Sequence, residues 1–270
     1  MSPDTQTPAT RLFVEAELAA GQVLGLDAQR AHYLRSVLRL GRGAGVALFN
    51  ARDGEWFATI DGLGKGWASL AVIAQRRAPE PAPDLWLVFA PIKRARLDFM
   101  VEKATELGVA ELLPVFTRHT DVARVNVERL AANAREAAEQ SERLSVPTVR
   151  APCGLMALLE SWPPERRLLL CAESQAVTPI ATHLAASGAG PGETATAGPW
   201  AILTGPEGGF HAAELDALKK LPFVAPVGLG PRLLRADTAA LAALACWQAW
   251  LGDGAARPPE RNATPPPETA

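Results

Sequence analysis

Two consecutive strand–turn–helix units near the carboxyl end constrain the fold of this chain more than any other feature. The first is Trp200-Ala-Ile-Leu-Thr-Gly-Pro-Glu-Gly-Gly-Phe210. Its apolar run at 201–203 has the length of a short buried strand, and Gly205-Pro206 stops it. After Gly208-Gly209, the spacing of Leu215, Leu218 and Leu221 predicts an amphipathic helix. The second unit repeats the plan: a strand over 223–229, the turn Gly230-Pro-Arg-Leu-Leu-Arg-Ala-Asp-Thr-Ala239, and a helix to Leu251. Strand, glycine turn and helix in succession build ligand sites at the carboxyl ends of strands in α/β sheets. Glycine lets backbone approach a ligand with no Cβ in the way. The two turns are expected to enclose one pocket.

Upstream, the hydrophobic pattern alternates between strand and helix: strands at 85–90, 112–116 and 168–171, helices at 95–107, 127–144 and 179–185. Such alternation predicts an α/β domain with a largely parallel sheet covered on both faces. Residues 11–77 differ. Short strands at 11–14, 23–26, 46–49, 55–60 and 68–73 are separated by Gly21, Gly43-Ala-Gly45, Asp53-Gly54 and Gly62-Leu-Gly64. One helix interrupts them, with Asp27 as N-cap and Ala31, Leu34 and Leu38 as its apolar face. Pro79, Pro81 and Pro83 make 78–84 a linker, because prolines so close together join no central strand or helix. The expected domains are therefore 11–77 and 85–252. Disordered ends are expected at 1–10 and 253–270, and a flexible insertion at 186–198.

Nucleotide fingerprints fail. No lysine follows the first glycine turn as a phosphate-binding loop requires, and Leu233 stands where a dinucleotide motif beginning Gly228-Leu-Gly230 needs its third glycine. A nicotinamide oxidoreductase is thereby disfavoured. What the two turns closely resemble is the RsmE family of ribosomal RNA uridine-N3 methyltransferases, within the SPOUT superfamily. Lys103-Ala-Thr-Glu-Leu-Gly-Val109 and Glu136-Ala-Ala-Glu-Gln-Ser-Glu-Arg143 match as well. The resemblance implies an S-adenosylmethionine-dependent methyltransferase acting on N3 of a uridine in 16S ribosomal RNA. It also implies a carboxy-terminal trefoil knot, an amino-terminal PUA-like β-barrel that helps hold RNA, and a homodimer. The alternatives are a ribose 2′-O-methylating SPOUT enzyme and a non-catalytic RNA-binding or ribosome-assembly factor.

On this resemblance the cofactor site comprises Leu203, Thr204, Gly205, Glu207, Gly208 and Gly209 from the first turn, with Leu229, Gly230, Leu233, Leu234 and Thr238 from the second. Arg235 and Arg232 are the candidates for stabilising a deprotonated uracil. For RNA, Arg35 and Arg39 lie at i,i+4 on the expected amino-terminal helix, where arginine forks suit phosphate oxygens; a solvated basic face is equally in keeping with the pattern. Lys93, Arg94 and Arg96 follow a strand end and predict an electropositive rim. Gln140 and Arg143 fall on a stripe of the 127–144 helix, where Glu139 and Arg143 are spaced for an ion pair. Asp98, Glu102 and Glu106 repeat every four residues and need either water or a basic partner. His211 stands where the family usually places Ser or Thr as a helix cap, and Asp237 where Glu is common. Ala240, Leu244 and Trp247 form a stripe suited to a dimer contact or to an ordinary core.

Global properties add bounds. A chain of 270 residues, 48% hydrophobic, has material for two cores, and a net charge of −2 means that any RNA surface must be local. The three cysteines show no disulfide or metal spacing, so they are expected reduced and mostly buried, with no metal site. The polar, proline-bearing start and the short apolar runs predict neither a signal peptide nor a membrane span, and a cytoplasmic location.

Overall fold

The period-two runs before residue 78 form strands, as their patterning predicts: β1 (Arg11–Phe13), β2 (Val23–Leu26), β3 (Gly45–Asn50), β4 (Gly54–Gly64) and β5 (Trp67–Arg77). The computed structural model describes residues 7–172, 177–187 and 198–257. They divide into two units. One holds the chain up to Pro81 together with Ala138–Val146, and the other holds Ala82–Ala137 and Pro147–Arg257. Just before β1, the Ala9 N–H donates to the Gly45 carbonyl at 2.9 Å; residues 1–6 of the expected disordered start lie outside the described residues.

In the first unit the sheet runs β1-β3-β4-β5-β2. β1 pairs parallel with β3, and the other pairs are antiparallel. Three register shifts between β4 and β5 bend that pair, as bulges do. Helix α1 (Ala28–His32) starts where Asp27 accepts the Arg30 N–H at 2.8 Å, a side-chain N-cap. It continues as a π-helical stretch (Tyr33–Val37), and Ala31 and Leu34 are fully buried against Val46, Leu48, Ile60 and Leu70. The wider turn and a left-handed Arg39 (φ 55°) break the expected i,i+4 stacking of Arg35 and Arg39, although both are exposed. Asp53-Gly54 does close a hairpin, with Asn50 paired to Gly54. A side chain at Gly54 would meet the Arg77 carbonyl at 2.1 Å. Gly62 and Gly64, expected to separate strands, instead lie inside β4, and the turn is Lys65-Gly66. The Trp67 indole fills the space that side chains at Gly62 and Gly64 would need.

The second unit contains β6 (Leu85–Phe89), α2 (Arg94–Glu106), β7 (Glu111–Phe116), α3 (Val127–Gln140), β8 (Thr148–Val149), β9 (Cys153–Gly154), α4 (Leu155–Glu160) and β10 (Arg167–Cys171). β11 (Thr178–Pro179), α5 (Ile180–Ala185), β12 (Trp200–Thr204), α6 (Ala212–Lys219), β13 (Val224–Gly228) and α7 (Ala236–Trp250) complete it. The last turn of α3 is counted with the first unit. The sheet is parallel throughout, in the order β11-β13-β10-β12-β6-β7-β8, with β9 beside β7. β12 is thus inserted between two strands that precede it in the chain. β8, β9, β11 and α4 were not legible in the sequence. The strands are two residues each, and α4 is a short apolar run with no polar face to give it a period.

Several expectations are corrected. α3 stops at Gln140 rather than 144, and Glu142 is left-handed (φ 61°). Within the first unit, Arg11 donates to the carbonyls of Ala138 (3.1 Å), Glu139 (3.0 Å) and Arg143 (3.1 Å), taking up acceptors that a helix end leaves open. α3 ends before Arg143, so Glu139 and Arg143 do not share a helix face. Glu139 accepts the Phe13 N–H at 3.0 Å, and Arg143 donates to the Ser145 hydroxyl at 2.9 Å. The α7 stripe Ala240, Leu244 and Trp247 is buried within the chain itself, so the core explanation holds. At the start of the tail, Gln248 accepts the Asp253 N–H at 3.0 Å and donates to the Leu107 carbonyl at 2.6 Å. The remainder of that tail, 258–270, and residues 188–197 of the expected insertion lie outside the described residues. The acidic face of α2 has basic partners: Asp98 pairs with Arg129, and Lys103 reaches Glu102 (2.7 Å) and Glu106 (2.8 Å).

Candidate active site

Because the strands run parallel, β6, β12, β10 and β13 all present their carboxyl ends on one edge, where open α/β sheets bind ligands. The opposite edge is sealed. There the buried Arg166 donates to the Trp200 carbonyl (3.0 Å) and to the Asp84 carboxylate (2.8 Å), with its guanidinium 3.5 Å from the Trp86 ring centre. The two glycine turns follow strands that are consecutive in this part of the chain but are not neighbours in the sheet. β10 lies between them, and its exit at Cys171 joins the same edge.

The first turn is anchored on both sides. Leu203 is fully buried in the sheet core with Val88 and Leu170, so its side chain is core and not the pocket wall expected of it. The buried Thr204 accepts the Ala90 N–H at 3.0 Å, tying the exits of β12 and β6 together. A Cβ on Gly205 would lie 2.9 Å from the Phe210 ring, so a larger residue there would force that ring to move. The Gly209 N–H donates to the Pro206 carbonyl at 2.9 Å.

His211 then caps α6 better than its residue type predicts. Its Nδ1 accepts the Ala213 N–H at 3.2 Å, while Glu214 accepts the His211 N–H at 3.0 Å, a complete capping box. Glu214 also accepts the Arg118 N–H at 3.0 Å. His119, which sequence analysis passes over, has Nδ1 at 3.2 Å from the carbonyls of both Gly208 and Gly209. No local signal marks it, because the contact joins residues about ninety positions apart.

The second turn is more open. Gly230 has φ 103°, a conformation that disfavours other residues, and nothing lies within 4 Å of where its Cβ would sit. Among the described residues, the N–H groups of Gly230, Leu233 and Leu234 have no protein partner. Arg232 and Arg235 are exposed, and neither has an ion-pair partner among the described residues. Arg235 is the backbone N-cap of α7, its carbonyl accepting the Ala239 N–H at 2.8 Å. Leu233 is 81% exposed and forms no wall, while Leu229 and Leu234 are half-buried and Thr238 is exposed.

Of the remaining candidates, Lys93 and Arg94 are exposed at the start of α2, and Arg94 reaches Asp98 only at 4.0 Å. Arg96 departs from the expected rim. Its guanidinium turns inward, 2.6 Å from Glu207 of the first turn and 3.8 Å from Asp237 of α7. Gln140 is exposed, and the half-buried Arg143 belongs with Gln140 to the segment counted with the first unit.

The cysteines are free and half-buried, less buried than expected. Burial, and secondarily Cys246, pushes the Cys171 thiol up to about 12, which removes a thiolate nucleophile from this edge. Among the described residues no His, Cys, Asp and Glu cluster could hold a metal, and no helix is long and apolar enough to cross a membrane. A groove between α4 and α6, lined by Met156, Leu159, Ala217 and Leu221, carries none of the candidate residues.

Among the described residues, the second turn leaves N–H donors and open backbone free for a ligand with polar edges. Residues 79–248 match the family model of an RNA methyltransferase domain, and residues 26–71 match that of an RNA methyltransferase PUA domain. The chain is 33% identical over 241 residues to ribosomal RNA small subunit methyltransferase E of Rickettsia conorii, covering 87% of this chain and 93% of that protein. The corresponding protein of Synechocystis is also 33% identical, over 88% of this chain and 76% of its own length. In three dimensions the chain is similar to ribosomal RNA small subunit methyltransferase E from Neisseria gonorrhoeae bound to S-adenosylmethionine. The TM-score is 0.78 and the identity 27%, over 88% of this chain and 96% of that one. A methyltransferase from Legionella pneumophila, also solved with S-adenosylmethionine, matches with a TM-score of 0.75 at 26% identity, over 89% and 97% of the two chains.

Proposed function

The chain belongs to the RNA methyltransferase family that includes ribosomal RNA small subunit methyltransferase E, and from that membership we propose that it methylates N3 of a uridine in 16S ribosomal RNA. It is an S-adenosylmethionine-dependent ribosomal RNA methyltransferase. The observation that carries the finer statement is the pair of glycine turns on one sheet edge, with Arg232 and Arg235 on the second having no ion-pair partner among the described residues.

The cofactor, when bound, supplies an electrophilic methyl group on a sulfonium, so the protein contributes positioning and electrostatics. Gly230, Leu233 and Leu234 would hold it through their N–H groups, together with Thr204, Gly205, Glu207, Gly208 and Gly209 of the first turn. N3 of uracil carries a proton at neutral pH. That proton must leave before the nitrogen lone pair forms the new N–C bond as the S–C bond breaks. The guanidinium of Arg235, with Arg232 beside it, stabilises the resulting uracil anion by oriented donors. N3 lies on the Watson–Crick edge, so the target base is unpaired or flipped when it reacts.

Arg35 and Arg39, both exposed within the PUA-matched region, contact RNA phosphates. Lys93 and Arg94 do the same at the start of α2. The substrate is RNA within the small ribosomal subunit, the chain works as a homodimer, and α7 threads the trefoil knot. The insertion of β12 between the earlier β6 and β10 is in keeping with such threading. The deciding experiment maps N3-methyluridine in ribosomal RNA from cells with and without this gene. Loss of one N3-methyluridine is expected; loss of a 2′-O-methyl group instead would transfer the chain to the ribose-methylating branch.

A further inference from the structure

Arg96 sits in the first turn of α2, half-buried, between the two parts of the cofactor site. Its Nη2 donates to Glu207 Oε1 at 2.6 Å, and Glu207 is the only charged residue of the first glycine turn. Its Nη1 faces Asp237 Oδ1 at 3.8 Å, and Asp237 is the second residue of α7, just past the second turn. Both Nη1 and Oδ1 are buried with no hydrogen-bond partner. Asp237 is only 9% exposed, so its carboxylate is committed to this interior contact and is not open to substrate.

We propose that Arg96 is a positioning residue for the cofactor, a planar fork that fixes the spacing between the glycine turn at Glu207 and the first turn of α7 at Asp237. It rests on the assignment of S-adenosylmethionine to these two turns. Neither turn is otherwise tied to the other among the described residues. The first is held by His119 and the capping box of α6. The second is a run of bends without internal hydrogen bonds. A guanidinium presents donors to two carboxylates in one plane, which an ammonium on a flexible stem does not reproduce. Arg96 therefore acts on cofactor affinity and not on RNA, contrary to its expected place in a basic rim. The contact to Asp237 is also about one methylene too long for a hydrogen bond. Asp237→Glu should close it.

The test uses the full chain with and without cofactor. Hydrogen exchange of the cofactor-free protein is read at the amides of Gly208, Gly209 and Phe210 and at Asp237–Ala239. Arg96→Lys is expected to speed exchange at both places about tenfold or more while leaving the β3–β5 sheet unchanged. By calorimetry, Arg96→Lys should weaken S-adenosylmethionine binding about tenfold, with turnover at saturating cofactor within about twofold of wild type. Asp237→Glu should bind at least as tightly as wild type and slow the exchange of both turns. Unchanged exchange in Arg96→Lys overturns the clamp, whatever the cofactor. Faster exchange with undiminished cofactor affinity shows a merely structural tie and overturns the role in binding. A loss confined to RNA affinity, with a shallower salt dependence, returns Arg96 to the phosphate-contacting rim. Failure of wild type itself to bind S-adenosylmethionine overturns the cofactor assignment, a result separate from the exchange measurement.

Discussion

Arg235 presents an exposed guanidinium with no ion-pair partner among the described residues at the start of α7, so its charge is available to a ligand. If it stabilises the uracil anion, its contribution is larger in the transition state than in the ground state, and its loss appears in turnover. Arg235→Lys keeps the charge and loses the fork. Cofactor and RNA binding should stay near wild type while turnover falls on the order of a hundredfold, the scale for one oriented donor. Raising the pH should restore part of the rate by deprotonating N3 unaided. Single-turnover rates at saturating enzyme across pH check this, and a normal saturated rate would remove Arg235 from the mechanism. Residue-scale legibility was uneven for a physical reason. Gly209 and Gly230, both at positive φ, declare themselves by local backbone need. Arg96 and His119 act on partners 111 and about ninety residues away, and nothing in their own neighbourhoods records it.

The β3–β4 hairpin depends on one carboxylate. Asp53 accepts from Leu18 N–H (3.0 Å), Asn50 Nδ2 (3.0 Å) and Arg52, while its own N–H donates to Asn50 Oδ1 at 2.7 Å. The Arg52 hydrogen bond, against the cost of burial and with help from Asn50 and Leu18, holds the Asp53 carboxyl well below the usual range. A depressed pKa stabilises the fold above the unfolded carboxyl value of about 3.9, and that stability is lost as pH falls further. The exposed Arg52 contributes little after solvent screening, so Asp53→Asn should cost about 1 kcal/mol at neutral pH, the scale of one buried hydrogen bond. It should also flatten the loss of stability below about pH 4. Thermal unfolding of both proteins across pH reads both effects. Elements with a period or a cap, such as α1 with Asp27 or α6 with Leu215 and Leu218, are readable from the sequence. The end of α3 was not, because its stop lies in acceptors taken by Arg11, more than a hundred residues earlier.

At the scale of the whole molecule, the proline linker does not mark a clean cut. Ala138, Leu144 and Val146 pack on Phe13 and Phe49, and the carbonyls of that segment are bonded to Arg11. Removing residues 1–81 should therefore weaken RNA binding and also strip that segment of its partners. The remainder should unfold several degrees lower than the full chain and bind hydrophobic dye, measured by calorimetry and fluorescence. An unshifted midpoint would mean that the segment folds without them. Strand type and count were largely legible, because burial on both faces leaves continuous apolar runs. Strand order was not, since no local pattern says that β12 enters between β6 and β10. That insertion bears on how the protein is made. During translation β6 leaves the ribosome long before β12, on the order of ten seconds at about 5–20 residues per second. Until then the nascent sheet has a vacancy at its centre, flanked by the bare backbone edges and apolar faces of its two middle strands. Stalled chains ending before Trp200 should stay protease-sensitive and bind trigger-type holdases, whereas chains that have released α7 should resist both.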